Sequence, residues 1–188
     1  MNASILRFSA ALLALAAGLG IFAFAPAADA RGPQDSGVIK IVSSLPRTGS
    51  ARGQTDTIVN GIVMAIEEAG GKMGGFTIKY EDLDDATAAA GQWTAEKEAA
   101  NADQAIKDPD VMAYIGTYNS GAAKVSMPKL NLAGLLMVSP ANTWPGLTKP
   151  GKGDPGEPEK YRPSGKINYV RCVPADDIQG VVSADWAR

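Results

Sequence analysis

The sequence predicts an α/β fold, a three-layer arrangement in which a mostly parallel sheet carries helices on both faces. Three observations lead there. From residue 38 onward, short β-branched and aliphatic runs alternate with stretches of helical periodicity, a spacing that makes right-handed crossovers between parallel strands. The run VIKIVS at 38–43 is apolar at closely spaced positions, as in strands covered on both faces. The segment VMAYIGTYNSGAAKVSMPKLNLAGLLMVSPANTWPGLT at 111–148 reads as two buried strands, 111–116 and 135–139, separated by a helix from Ser120 to Leu132. Each strand ends in a small polar loop, and parallel strands bring both loops to one sheet edge, where open α/β sheets bind ligands.

The remaining elements follow in order. After the first strand, Ile58, Ile62, Ala65, Ile66 and Ala69 recur at helical spacing over 57–69, and Gly70-Gly71 ends that helix. FTIKY at 76–80 is the second strand, with Glu81 to Asp85 as a solvated acidic exit. The alanine-rich stretch 86–107 predicts one long helix, stopped at Asp108-Pro109. Residues 149–165, rich in proline and glycine, form a turn-rich excursion. YVRCV at 169–173 resumes an extended pattern, and 176–188 starts a helix that Asp176 or Asp177 would cap. The chain stops within about three turns of that start, so the fold is expected to be incomplete.

The first thirty residues differ from the rest. Arg7 precedes an apolar run from Ala10 to Phe24, and Ala28-Asp29-Ala30 offers a small-x-small cleavage site. The run falls short of the ~20 residues of a membrane span, so residues 1–30 read as a signal peptide and the membrane enters only through export. Residues 31–36 form a polar lead. A net charge of −2 with scattered lysines and arginines argues against nucleic acid as a partner. Cys172 is the single cysteine and histidine is absent, which removes an internal disulfide, cysteine-based metal sites and zinc. The thiol reads as a small buried apolar residue. No cofactor is expected.

The chemistry-bearing candidates lie in the edge loops. The loop 45–54 (LPRTGSARGQ) follows the first strand but matches neither G-x-G-x-x-G nor a P-loop, so it reads as a ligand-contacting loop rather than a nucleotide site. Ser120 opens a helix; its hydroxyl suits a cap, and the unpaired N–H groups beside it suit a carboxylate. Tyr118, Asn119, Ser139 and Thr143 share that edge. Trp144 either lines an apolar pocket or packs the loop, whereas Trp93 and Trp186 read as helix packing. Asp82, Asp84 and Asp85 lack the glycine and terminal glutamate of a calcium loop. A serine nucleophile has no histidine or Ser-x-x-Lys to activate it, so an enzyme is not expected.

Six motifs in order carry a resemblance. They are Ile39–Val42 followed by Leu45-Pro46-x-Thr48-Gly49; Asn60-Gly61 with Ala65; Tyr80-Glu81-Asp82; Tyr114-Ile115-Gly116 with Ser120; Leu136 to Ala141; and Arg171 with Asp176-Asp177-x-Gln179-Gly180. From Val38 onward the chain resembles the leucine/isoleucine/valine-type periplasmic substrate-binding proteins of ABC transporters, the type I periplasmic binding protein family. The resemblance implies a two-lobed clam that traps an amino acid in its cleft. It implies that Ser120 and its amide hold the ligand carboxylate, and that the Ala141 carbonyl and Thr143 hold the α-ammonium and carboxylate. It also implies that Gln54, at a position often aromatic in the family, packs against the ligand side chain.

The expected organisation is therefore a signal peptide over 1–30, an N-terminal ligand-binding lobe over 31–173, and the start of a second lobe over 174–188. The implied function is extracytoplasmic capture of a branched-chain-type amino acid, or a similar small polar ligand, for import. Its partner is an ABC transporter permease, and its location is the periplasm. A ligand-sensing receptor domain of the same fold is the alternative.

Overall fold

The computed structural model describes residues 37–188; the expected signal peptide and polar lead lie outside them. The elements run β1 (Val38–Leu45), α1 (Arg52–Glu68), β2 (Lys72–Met73), β3 (Phe76–Asp84), β4 (Ala86–Thr87), β5 (Gln92–Trp93), α2 (Ala95–Lys107), β6 (Val111–Gly116), α3 (Ser120–Leu132), β7 (Leu136–Ser139), β8 (Tyr169–Arg171) and α4 (Asp176–Trp186). Short 3₁₀ turns lie at Pro145–Leu147 and Glu159–Tyr161.

The main sheet has the order β2-β3-β1-β6-β7-β8. All its pairings are parallel except that of β2 with β3. The chain first adds β3 on one side of β1, then builds β6, β7 and β8 on the other. Winding therefore reverses between β1 and β6, and the crevice beyond their carboxyl ends is where doubly wound sheets take ligands.

Strand alternation divides the apolar residues between two faces. Val42, Tyr114 and Met137 share a buried core with Ala102 and Ala105 of α2 and Ala123, Met127 and Leu130 of α3. On the opposite face, Ile41, Ile78, Ile115 and Val138 look toward Ile58, Ile62 and Ile66 of α1 across an apolar cavity of about 500 Å³. The α/β sheet with helices on both faces is thus as the sequence predicts.

Local chemistry explains the boundaries. Gly70 and Gly71, at φ +67° and +65°, turn the chain out of α1 while their N–H groups donate to the carbonyls of Glu67 and Ile66. Thr94 caps α2 by accepting the Lys97 N–H at 3.3 Å, and Glu96 and Glu98 occupy the helix's positive first turn.

Several expectations are corrected. The helix expected over 86–107 begins only at Ala95; residues 86–93 form the hairpin β4–β5, closed by a Gly91 N–H to Thr87 carbonyl bond. The alanines favour helix, but tertiary contact overrides them: a Cβ on Gly49 would lie 2.0 Å from the Gly91 carbonyl oxygen, so the hairpin tip sits directly on the loop after β1. Trp93 consequently belongs to a strand rather than a helix. The α4 N-cap is Ala175, with no side-chain cap; Asp176 and Asp177 instead lie in the first turn. No residue of α4 is buried and Trp186 is 90% exposed, so it packs on nothing here. Cys172 is exposed rather than buried.

Candidate functional site

Three loops meet at the carboxyl edge, after β1, β6 and β7. The first is held by the acidic exit of β3, which is an organising cluster and not the solvated turn expected. Arg47 donates through Nε to Asp82 at 2.8 Å and pairs with Asp56 at 2.8 Å. Asp84 accepts the Arg47 N–H at 2.8 Å, the Thr48 hydroxyl at 2.6 Å and the Ala86 N–H at 2.8 Å. Burial opposes its charge, yet those three donors bring the Asp84 carboxyl below its ordinary value.

The second and third loops are clasped by one residue. Asn142, fully buried, donates from Nδ2 to the Thr117 carbonyl at 2.9 Å and the Tyr118 carbonyl at 3.1 Å. Its Oδ1 accepts the Tyr169 hydroxyl at 3.0 Å. Arg171, at the end of β8, grips the third loop by donating to the carbonyls of Asn142 at 3.1 Å and Trp144 at 2.9 Å and to the Thr148 hydroxyl at 2.6 Å.

Ser120 is the first helical residue of α3, not its cap. The N-cap is Asn119, whose side chain makes no capping bond and whose carbonyl accepts the N–H groups of Ala122 and Ala123. The Ser120 hydroxyl accepts the Trp144 N–H at 3.3 Å. The Ala123 bond is the first intrahelical one and the Ala122 N–H shares its acceptor, leaving the N–H groups of Ser120 and Gly121 without an acceptor among the described residues.

Those two residues open onto a cavity of about 440 Å³ lined also by Lys124, Trp144, Asp154 and Asp176. Its outer wall is built by the excursion over 149–165. The Glu157 side chain, with no exposed surface, accepts the Trp144 indole N–H at 2.8 Å, the Asp154 N–H at 2.9 Å and the Tyr161 hydroxyl, and pairs with Lys124 at 2.9 Å. Burial alone would push its carboxyl up, but these partners hold it well below the usual carboxylate range. Lys124 also pairs with Asp154 at 3.1 Å and lies 4.8 Å over the Trp144 ring. Glycine is required where the excursion meets the 3₁₀ turn, since a Cβ on Gly153 would fall 2.5 Å from the Gly146 Cα.

The candidate residues therefore separate. Ser120 and Trp144 line the cavity together. Ala141 and Thr143 lie half-buried on the adjoining loop, the Thr143 hydroxyl unpartnered among the described residues. Gln54 lies in the first turn of α1, not in the loop after β1, and its Oε1 accepts the Tyr118 hydroxyl at 2.5 Å, tying α1 to the second loop. Asn119 serves through its backbone. Ser139 is fully buried, its hydroxyl donating to the Thr117 carbonyl and accepting the N–H groups of Ala141 and Asn142, so its polar capacity goes to shaping the loop.

Sequence reasoning missed Trp93, Asn142 and the Lys124–Asp154–Glu157 cluster. Trp93 presses on the α3 start so closely that a Cβ on Gly121 would lie 2.7 Å from its ring. The only hint was a glycine after the helix-opening serine. Among the described residues, no group of three or more acidic, cysteine or histidine side chains is arranged to hold a metal ion.

Comparison with known proteins agrees with this geometry. No curated protein matches the chain. Among solved structures it is similar to a leucine binding protein from Thermotoga maritima, with 26% identity, 79% of this chain and 36% of that one covered, and a TM-score of 0.63. It is also similar to an ABC transporter substrate-binding protein from Desulfitobacterium hafniense in complex with Leu, with 25% identity, 74% and 35% covered, and a TM-score of 0.54. The fold is shared with a solute binding protein of an ABC transporter from Rhodopseudomonas palustris in complex with 3,4-dihydroxy benzoic acid, with 20% identity, 74% and 32% covered, and a TM-score of 0.58. The chain spans about a third of the length of these proteins. A family model described as periplasmic binding protein matches residues 38–159, and with the sheet order and edge loops above, this chain belongs to the periplasmic binding protein family.

Proposed function

We propose that this chain supplies one jaw of an extracytoplasmic solute-binding protein that captures an amino acid or a similar small carboxylate for an ABC transporter. The observation that carries the reading is the pair of unanswered N–H groups on Ser120 and Gly121, which open into a cavity at the carboxyl edge of a doubly wound sheet. A helix start presents partial positive charge and directed donors, the requirements for holding a carboxylate. The Thr143 hydroxyl and Ala141 carbonyl stand on the neighbouring loop to take the remaining polar groups. The similar proteins named for leucine binding and solved with Leu support an amino acid as the ligand. The lobe spans residues 31–173, and α4, which buries none of its residues, begins the opposing lobe. Export through a cleaved signal over 1–30 would place it outside the cytoplasm.

The donors on these residues are one part of the contacts a closed, dry cleft would make, so the 188-residue chain by itself should bind weakly. The test is an NMR titration of the chain with leucine and with a small carboxylate such as valerate at millimolar concentrations. The expected result is saturable shifts confined to the amides of Ser120, Gly121 and the loop 141–144. Unmoved Ser120 and Gly121 amides would overturn the reading.

A further inference from the structure

The hairpin β4–β5 stands on Asp85. The Asp85 N–H donates to the Leu45 carbonyl at 3.2 Å, at the end of β1, and its carbonyl accepts the Thr94 N–H at 2.9 Å, where α2 begins. From that root the hairpin reaches two parts of the sheet edge. At its tip the Gly91 carbonyl accepts the Ser50 N–H at 3.3 Å, beside Gly49. At its returning strand Trp93 packs on Gly121 at the start of α3.

The side chain at the root is badly placed for a charge. Asp85 is fully buried, and neither carboxyl oxygen has a hydrogen-bond partner among the described residues. Its neighbours do not compensate. Asp84, beside it on β3, adds a like charge. Glu98 of α2 is a second buried carboxyl and Tyr114 of β6 a buried phenol, and Asp85 acts on both. The cations are engaged elsewhere: Arg47 of the loop after β1 pairs with Asp82 and Asp56, and Lys97 of α2 acts on Asp84. The hairpin itself, ATAAAGQW, has no titratable side chain. A neutral carboxyl can stay in such a place, whereas a carboxylate must reach water.

We infer that Asp85 is a proton-operated latch: while its carboxyl is protonated the hairpin lies closed on the loop after β1 and on the start of α3, and loss of the proton to solvent draws the side chain out and lifts the hairpin, taking Gly91 and Trp93 off the sheet edge. The latch acts whether or not that edge holds a carboxylate. Burial, then Asp84, pushes the closed-form carboxyl up to about 7, while an exposed aspartate titrates near about 4. Below the lower value both forms are protonated and the closed form keeps its full advantage. Between the two values the open form alone has lost its proton, so opening gains about tenfold per pH unit; above the upper value the gain stops, at about a thousandfold in all.

Amide hydrogen exchange on the whole chain reads the opening at Ser50, Gly91 and Thr94, whose N–H groups tie the hairpin down, against Met127 inside α3. Protection at the three hairpin amides, relative to their intrinsic exchange, should be lower than at Met127. It should fall about tenfold per pH unit up to about pH 7 and then level. Asp85→Asn, the uncharged isostere, should abolish that fall, and Glu98→Gln should leave it. Hairpin protection that is constant with pH, or that equals Met127 protection at every pH, would overturn the latch. A fall that survives Asp85→Asn, or that Glu98→Gln abolishes, would overturn it too. The comparison of hairpin with α3 on the unaltered chain decides the matter even if a variant does not fold.

Discussion

The Asn142 amide donates 2.9 Å to the carbonyl of Thr117, a bond made out of solvent between the loops that follow β7 and β6. The same nitrogen reaches the Tyr118 carbonyl at 3.1 Å, and the amide oxygen takes the Tyr169 hydroxyl. One side chain thus fixes the position of Thr117-Tyr118-Asn119, and through it the start of α3. Asn142→Ala removes the clasp and strands buried carbonyls. A stability loss of about 2–3 kcal/mol is expected by urea denaturation. Amide exchange at residues 117–121 should quicken more than exchange in α2.

Glu157 concentrates the partners of the excursion on one buried carboxylate. Glu157→Ala leaves Lys124 without its buried partner and frees the Trp144 indole, so a loss of about 3 kcal/mol is expected. The indole N–H resonance of Trp144 should move to a solvent-exposed position, those of Trp93 and Trp186 staying put. An unmoved Trp144 resonance would contradict the geometry.

Gly121 is glycine because Trp93 occupies the space of a side chain there, 2.7 Å from an ideal Cβ. Gly121→Ala should destabilise the chain by about 1–3 kcal/mol through overpacking. In the Trp93→Ala background the same change should cost much less. A double-mutant cycle by thermal unfolding measures the coupling; additive losses would place Trp93 away from the α3 start.

Stability should fall as pH rises across the neutral range. Glu98 is fully buried against the Ser44 hydroxyl at 2.6 Å and the Tyr114 hydroxyl at 3.0 Å. Burial pushes its carboxyl up to about 8 against the opposing hydrogen bonds. Asp85 is buried with neither carboxyl oxygen partnered among the described residues, and burial, then the neighbouring Asp84, pushes it up to about 7. Unfolded carboxyls titrate near about 4. Between that value and the folded ones the native chain holds protons the unfolded chain has lost, so stability declines with rising pH. Each group contributes up to about 1.4 kcal/mol per pH unit, and the decline levels off once the native groups ionise. Glu98→Gln should flatten the profile, measured by urea denaturation across that window; an unchanged slope would show that Glu98 holds no proton.

The parts of the fold that depend on local apolar pattern were legible in the sequence. β6 and α3 have the expected bounds because VMAYIG is an uninterrupted strand run and Ser120 follows a polar loop. The hairpin at 86–93 was not legible: Ala88, Ala89 and Ala90 favour helix in isolation, and only the approach of Gly49 to Gly91 forces a turn. The Glu157 cluster was hidden for a related reason. Its partners Trp144, Lys124 and Asp154 come from three separate stretches, and a glutamate in a proline-rich segment carries no local mark of burial. Of the candidate residues, Ser120 and Trp144 carry local signals, a helix start and an aromatic in an edge loop, and both line one cavity. The local bonds of Ser139 were not legible, because a serine at a strand end looks the same whether its hydroxyl faces a ligand or its own loop.

The start of α4 is fastened to the third edge loop at two points. The Asp176 N–H donates to the Thr143 carbonyl at 2.9 Å, and Asp177 pairs with Lys149 at 2.7 Å. With none of its own residues buried, α4 has little else to hold its direction. It is a lever hinged on the very backbone that presents Thr143. A swing of that lever must either tug Thr143 along or break the bond, so any force on the helix is registered at the loop, and any settling of the loop steers the helix.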